Sequence, residues 1–158
     1  MADHSSTALL DHLGRLSRSR AEAALAPLGM RSRHLVALTL LREHGPGTQQ
    51  ALAASLSIDR TNLVGLLNEL EAGGHVTRHR SPEDRRRHIV ALTPAGEQVL
   101  QDAEQRVADA EEELLQRLSA EERETLYALL ARATNGHAID CVGEAGLRDP
   151  QPQLDAAP

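Results

Sequence analysis

The chain has 158 residues and a formal net charge of −6, with 41% apolar and 25% charged residues. That length suits one domain with a core of its own. A single aromatic residue, Tyr127, with no Phe and no Trp, excludes the ring-stacking platforms that bind single strands or RNA.

In chain order, Leu9, Leu13, Leu16 and Ala24 recur at helical spacing and predict a first helix from Ser6 to about Leu25. Pro27 and Gly29 interrupt it. Residues 32–44 form a second helix whose Leu35, Val36, Leu38, Leu40 and Leu41 cover so wide an arc that a central position is expected. Gly45-Pro46-Gly47 ends it. Thr48 is the N-cap of a short third helix carrying Leu52 and Leu56. After the tight turn at Ser57-Ile58, Asp59 caps a fourth helix that Gly73-Gly74 closes. Residues 75–80 and 87–92 read as two strands joined by the charged turn Ser81-Pro-Glu-Asp-Arg-Arg86, a hairpin.

Thr93-Pro94 starts a fifth helix, expected to run to about Leu118. Its Leu100, Ala103, Val107, Ala110 and Leu114 follow the three–four spacing of a coiled-coil seam. Ser119-Ala-Glu-Glu122 is a capping box that opens a sixth helix with Leu126, Leu129, Leu130 and Ala133. The segment 136–158 is rich in Gly, Pro, Asp and Gln and is expected to be a flexible tail. The fold class is thus mainly α with a small β-hairpin: a winged helix-turn-helix with a long helical dimerisation region, about six helices in all. Four regions result: an N-terminal dimerisation helix in 1–30, a winged helix-turn-helix in 31–93, C-terminal dimerisation helices in 94–135, and the tail.

Charge is unevenly spread. Residues 97–124 carry three Arg against ten acids, whereas residues 75–90 carry five Arg against two. A local positive site, rather than the net charge, decides phosphate binding. In a helix-turn-helix the second helix enters the DNA major groove. Here Leu63, Leu66, Leu67 and Leu70 form its inner face, and Thr61, Gly65, Asn68 and Ala72 the outer one, with Asn62 and Val64 on the flanks. Arg60, Thr61, Asn62, Val64 and Asn68 are the candidate groove contacts. Thr and Asn bond base edges, and Val64 suits a thymine methyl. An ordinary amphipathic helix with small polar residues outside has the same pattern, and the hairpin decides between the two. Its tip places Arg85, Arg86 and Arg87 where a minor groove would draw them in. Asp84 is expected to orient the Arg86 guanidinium. Thr48, Gln49, Arg78 and Arg80 are expected along the DNA backbone.

The stretches Thr48-Gln-Gln-Ala-Leu-Ala53, Ile58-Asp-Arg-Thr-Asn62, Leu70-Glu-Ala-Gly-Gly-His-Val76, Asp84-Arg-Arg86 and Val90-Ala-Leu-Thr-Pro-Ala-Gly96 together resemble the multiple-antibiotic-resistance regulator (MarR) family of bacterial transcription factors. The likeness runs from about residue 8 to 134. It implies a homodimer in which the first, fifth and sixth helices interlock and two winged helices read a pseudo-palindromic operator in double-stranded DNA. It also implies repression of neighbouring genes, relieved when a small phenolic or other apolar ligand binds. Such relatives hold their ligand among helices one, two and five, which makes Arg15, Met30 and His34 the candidates here. The sequence departs from the family at Gly65, where relatives carry a larger side chain, at His75, where an apolar residue is usual, and at the additional Arg87.

Other signals are weaker. The single Cys, Cys141, cannot form an internal disulfide and has acidic neighbours that disfavour a thiolate. The eight His residues show no metal-ligand spacing. No nucleophile motif or phosphate-binding glycine loop is present, so neither enzyme activity nor a cofactor is expected. The N-terminus lacks a signal-peptide pattern and no apolar run approaches the roughly 20 residues of a membrane helix, so a cytoplasmic protein without a membrane partner is expected. The alternative to a DNA-binding regulator is a dimeric helical adaptor that has lost specific DNA binding, with the acidic fifth helix and Gly65 in its favour.

Overall fold

The computed structural model describes residues 5–134. Six helices and a three-stranded antiparallel sheet follow in the order α1 (Ser6–Leu25), α2 (Ser32–His44), β1 (Gly47–Thr48), α3 (Gln49–Ser55), α4 (Arg60–Ala72), β2 (Val76–Arg80), β3 (His88–Leu92), α5 (Pro94–Leu114) and α6 (Ala120–Ala133). This is a winged-helix fold with long helices at both ends.

The core is aliphatic throughout. Leu63, Leu66, Leu67 and Leu70, at i, i+3, i+4 and i+7 of α4, are each at most 1% exposed. They meet Val36, Ala37, Leu38 and Leu41 of α2, Leu52 and Leu56, Val76 and Val90 of the sheet, and Leu100 and Ala103 of α5. Each fully buried Leu contributes about 1.5–3 kcal/mol relative to exposure. The central position expected of α2 holds.

Local chemistry sets the boundaries. Thr48, Asp59, Thr93 and Ser119 each accept a hydrogen bond from a backbone N–H in the first turn of the helix they precede. At Ser119 the capping box is complete, with Glu122 accepting from the Ser119 N–H at 2.8 Å. Ser57, in the turn between α3 and α4, takes the left-handed conformation at φ 51°. Gly74 supplies φ 74° where α4 turns into β2.

Two expectations are corrected. The helix expected to reach Leu118 stops at Leu114. Residues 115–118 form a turn, closed by the Leu118 N–H on the Leu115 carbonyl, which frees Ser119 to adopt the extended backbone that a cap requires. A third strand was also missed. Gly47 and Thr48 pair with Val90 and Ile89, giving the sheet order β1-β3-β2. Two residues cannot show an alternation, and Thr48 was legible only as a cap.

The Leu100–Leu114 seam is not a free face. Leu100 and Ala103 lie in the core, and the helix runs along α1 of the same chain. The large apolar residues left uncovered among those described are Leu9 (71% exposed), Leu10 and Leu16 on α1, Tyr127 and Leu129 on α6, and Val64 on α4. Residues 136–158 and Cys141 lie outside the described residues.

Candidate nucleic-acid interface

Two elements flank one groove of about 450 Å³, lined by Thr48, Gln49, Gln50, Ala53, Arg60, Leu63, Arg86, Arg87 and His88. It lies between the helix pair α3–α4 and the tip of the hairpin. The structure therefore brings together five of the sequence-derived candidates: Thr48, Gln49, Arg60, Arg86 and Arg87. Thr61, Asn62, Val64 and Asn68 are exposed on α4, and Arg80 and Arg85 are exposed on the wing.

The hairpin is a five-pair ladder from Val76↔Leu92 to Arg80↔His88. Its tip folds back on itself. Ser81 accepts from the backbone N–H groups of Glu83 and Asp84, and the Ser81 N–H donates to the Arg87 carbonyl at 2.9 Å. Asp84 was expected to hold the Arg86 guanidinium, but it does not. Its Oδ1 accepts from the Arg86 backbone N–H at 3.0 Å, and its Oδ2 pairs with Nε of Arg87 at 3.4 Å. Two residues along a tight turn bring a carboxylate over the backbone rather than over the side chain. Arg86 is thereby presented from a braced backbone with its charge directed outward.

Two of the candidate groove contacts are engaged within the chain. Arg78, expected on the DNA backbone, donates from Nε to Glu71 at 3.0 Å and from Nη2 to Oδ1 of Asn68 at 2.8 Å. Its guanidinium holds the Glu71 carboxyl below the ordinary glutamate range. This clamp ties β2 to α4. Asn62 donates from Nδ2 to Asp59 at 2.5 Å, while Asp59 Oδ1 caps the Asn62 N–H at 2.9 Å. That capping holds the Asp59 carboxyl low.

A second clamp, missed in the sequence, orients α4 from behind. Glu69 pairs with Arg33 at 2.8 Å and with Nε2 of His34 at 2.7 Å. Nδ1 of His34 accepts from the Arg31 N–H at 3.1 Å, so Nε2 carries the proton that is donated to Glu69. Burial pushes the His34 pKa down against the opposing pull of Glu69. Arg33 is the main cause of the lowered Glu69 pKa. The signal was three residues with no apparent reason for their types, and sequence spacing of 35 and 36 residues hid the pairing. His34 is thus a buried link to α4, and Met30 is a core residue at 4% exposure. Arg15 pairs with Asp11 on the exposed side of α1.

The wing is anchored to α5 by the Thr93–Gly96 turn. Thr93 Oγ1 donates to the Gly74 carbonyl at 2.7 Å and accepts from the Gly96 N–H at 2.9 Å. A Cβ on Gly96 would stand 2.0 Å from the His75 carbonyl oxygen, so only Gly allows this approach. Gly65 is different: a Cβ there would meet nothing within 4 Å.

A family model described as the MarR family matches residues 31–88, the stretch that contains α2, the helix pair and most of the wing. Residues 31–88 carry a MarR-family domain. A relative from Thauera aromatica, named as a transcriptional regulatory protein for the hcr operon, is 42% identical over 90 residues, which is 56% of this chain and 54% of that one. The chain thus spans about half the length of that curated relative. Among solved structures it is similar to wild-type MarR from E. coli in the apo form, with TM-score 0.72 and 28% identity over 81% of this chain and 95% of that one. It is also similar to a cysteine-to-serine variant of E. coli MarR complexed with operator DNA, with TM-score 0.64 and 28% identity over 80% and 91% of the two chains. The chain thus shares the winged-helix fold of that DNA-bound neighbour.

Proposed function

We propose that this chain is a homodimeric regulator of transcription that binds double-stranded DNA. The observation that carries this reading is the groove shared by the first turn of α4 and the wing, where Arg60, Arg86 and Arg87 converge. Guanidinium groups of fixed charge suit phosphates and guanine edges. In a MarR-family chain that surface faces the duplex, with α4 in the major groove and the wing in the adjacent minor groove. Duplex DNA as partner also sets the working compartment as the cytoplasm.

The homodimer is supported by the leucines left uncovered on α1 and α6. A monomer would leave them exposed to water. A two-fold pair of winged helices then reads a pseudo-palindrome, and its occupancy blocks neighbouring promoters, which makes repression the favoured outcome. Release by a small phenolic or apolar ligand belongs to the same reading.

The test is binding of the full chain to duplexes enriched from a random pool, alongside unselected duplex. The expected result is a dimer by sedimentation and a selected duplex bound at least about a thousandfold more tightly than random DNA at physiological salt. A dimer without any preferred duplex would overturn the reading and leave the adaptor.

A further inference from the structure

The exposed large apolar residues among those described fall on α1 and α6, with one exception, Val64, at 37% exposure on the outer face of α4. It lies one turn beyond Arg60 and Thr61 and one turn before Asn68, so all four share a face. Beside it, Gly65 leaves bare backbone, with open space where a Cβ would be. Both amide side chains of α4 are engaged within the chain. Asn62 has its amide on Asp59. Asn68 has its carbonyl oxygen on the Arg78 guanidinium. A side-chain amide reads adenine by giving and accepting at once. For Asn68 that would mean breaking a charge-assisted bond, which is about twice as strong as a neutral one.

We propose that Val64 and the bare backbone at Gly65 form an apolar seat for the C5-methyl group of a thymine, and that base reading is confined to Arg60, Thr61 and Val64. Asn62 and Asn68 are positioning residues. Asn62 closes the cap of α4, and Asn68 completes the clamp that sets the angle between α4 and the wing. Gly65 serves the seat because a methyl there would fill the space into which the edge of the base pair enters. The fold itself does not require Gly at this position, and an exposed helical Gly is unfavourable relative to Ala. The inference rests on the DNA-binding reading above and adds which residues discriminate and for what chemistry.

The experiment replaces each thymine of a selected duplex in turn by deoxyuridine, which removes the methyl and leaves the base pairing unchanged. At one position in each half-site the wild-type chain is expected to bind about fourfold more weakly, the size appropriate to one buried methyl. In Val64→Ala, thymine and deoxyuridine at that position bind alike. Asn68→Ala lowers affinity for selected and random duplex by the same factor and keeps the thymine preference. Gly65→Ala binds the selected duplex more weakly although its melting temperature rises. Val64 and Gly65 are exposed, so neither substitution threatens the core. Selective binding with no deoxyuridine effect at any position overturns the seat and leaves the regulator reading standing. Loss of a base preference in Asn68→Ala overturns the positioning role. Failure of any duplex to bind better than the random pool overturns the regulator reading, and the seat with it.

Discussion

The middle of this chain and its two ends solve the burial problem in opposite ways. From α2 to β3 the large apolar residues face inward, Val64 excepted, and polar ones are linked by clamps: Arg33 and His34 on Glu69, Arg78 on Glu71 and Asn68, Thr93 on the turn after α4. On α1 and α6, Leu9, Leu10, Tyr127 and Leu129 are left about half exposed or more. A winged helix that buries its own apolar faces can present a fixed surface, whereas the ends keep apolar side chains uncovered, as the proposed homodimer requires. The charge follows the same division. Of the five arginines of residues 75–90, Arg86 and Arg87 border the groove, whereas the ten acids of residues 97–124 lie on α5 and α6.

The largest expected effect comes from breaking each half separately. Leu66→Ala removes a side chain that is 1% exposed and should cost about 2–5 kcal/mol in denaturant unfolding at every protein concentration. Leu129→Ala, at a position 53% exposed, should act on association instead, so that sedimentation shows more monomer and its cost in unfolding fades once both proteins are dilute enough to be monomeric. If both variants behave alike, the division between a self-sufficient middle and dependent ends is wrong. Next in size is the join between wing and α5. Gly96→Ala forces a methyl against the His75 carbonyl and should cost about 1–3 kcal/mol in thermal unfolding.

A smaller effect concerns pH at the clamp behind α4. His34 has a lowered pKa through burial, so the folded chain disfavours the proton that the unfolded chain accepts. Stability is then retained above the ordinary His value of about 6.5 and lost as the pH falls below it. Glu69 is lowered by Arg33, so its contribution is present above about pH 4.3, the ordinary Glu value, and is lost as the pH falls further. Both push the same way. Solvent screens the Glu69 pairs, which are 44% exposed on the carboxylate side, so that part is small. His34→Gln should flatten the decline in melting temperature as the pH falls below about 6.5, the ordinary His value. An unchanged slope would remove His34 from the pH response.

Most of the architecture was legible because each boundary has a local chemical cause. The caps at Thr48, Asp59, Thr93 and Ser119 act within their own first turns, and the leucines of α4 follow the period of the helix. What was not legible depends on pairing across the chain. β1 exists because Gly47 and Thr48 meet β3 some forty residues later. Asp84 could be named as a bracing group, but its target, the Arg86 backbone and the Arg87 side chain, is a property of the turn's shape. Asn62 and Asn68 look like base readers on a helical wheel, and only the positions of Asp59 and Arg78 reveal that they are engaged. Gly96 and Gly65 are indistinguishable as letters. One is held by a carbonyl and the other faces open space.

The central claim is that the groove between α4 and the wing binds phosphates, with Arg86 presented outward. Its most direct measurement is the affinity for a selected duplex as a function of salt, for the wild-type chain and for Arg86→Ala. The account predicts that log K falls linearly and steeply with log salt in the wild type, at about 0.9 for each phosphate neutralised. In Arg86→Ala the dimer stays intact and the slope becomes shallower by roughly two, one for each protomer. A flat salt dependence, or a slope and affinity that are the same in the two proteins, would contradict it.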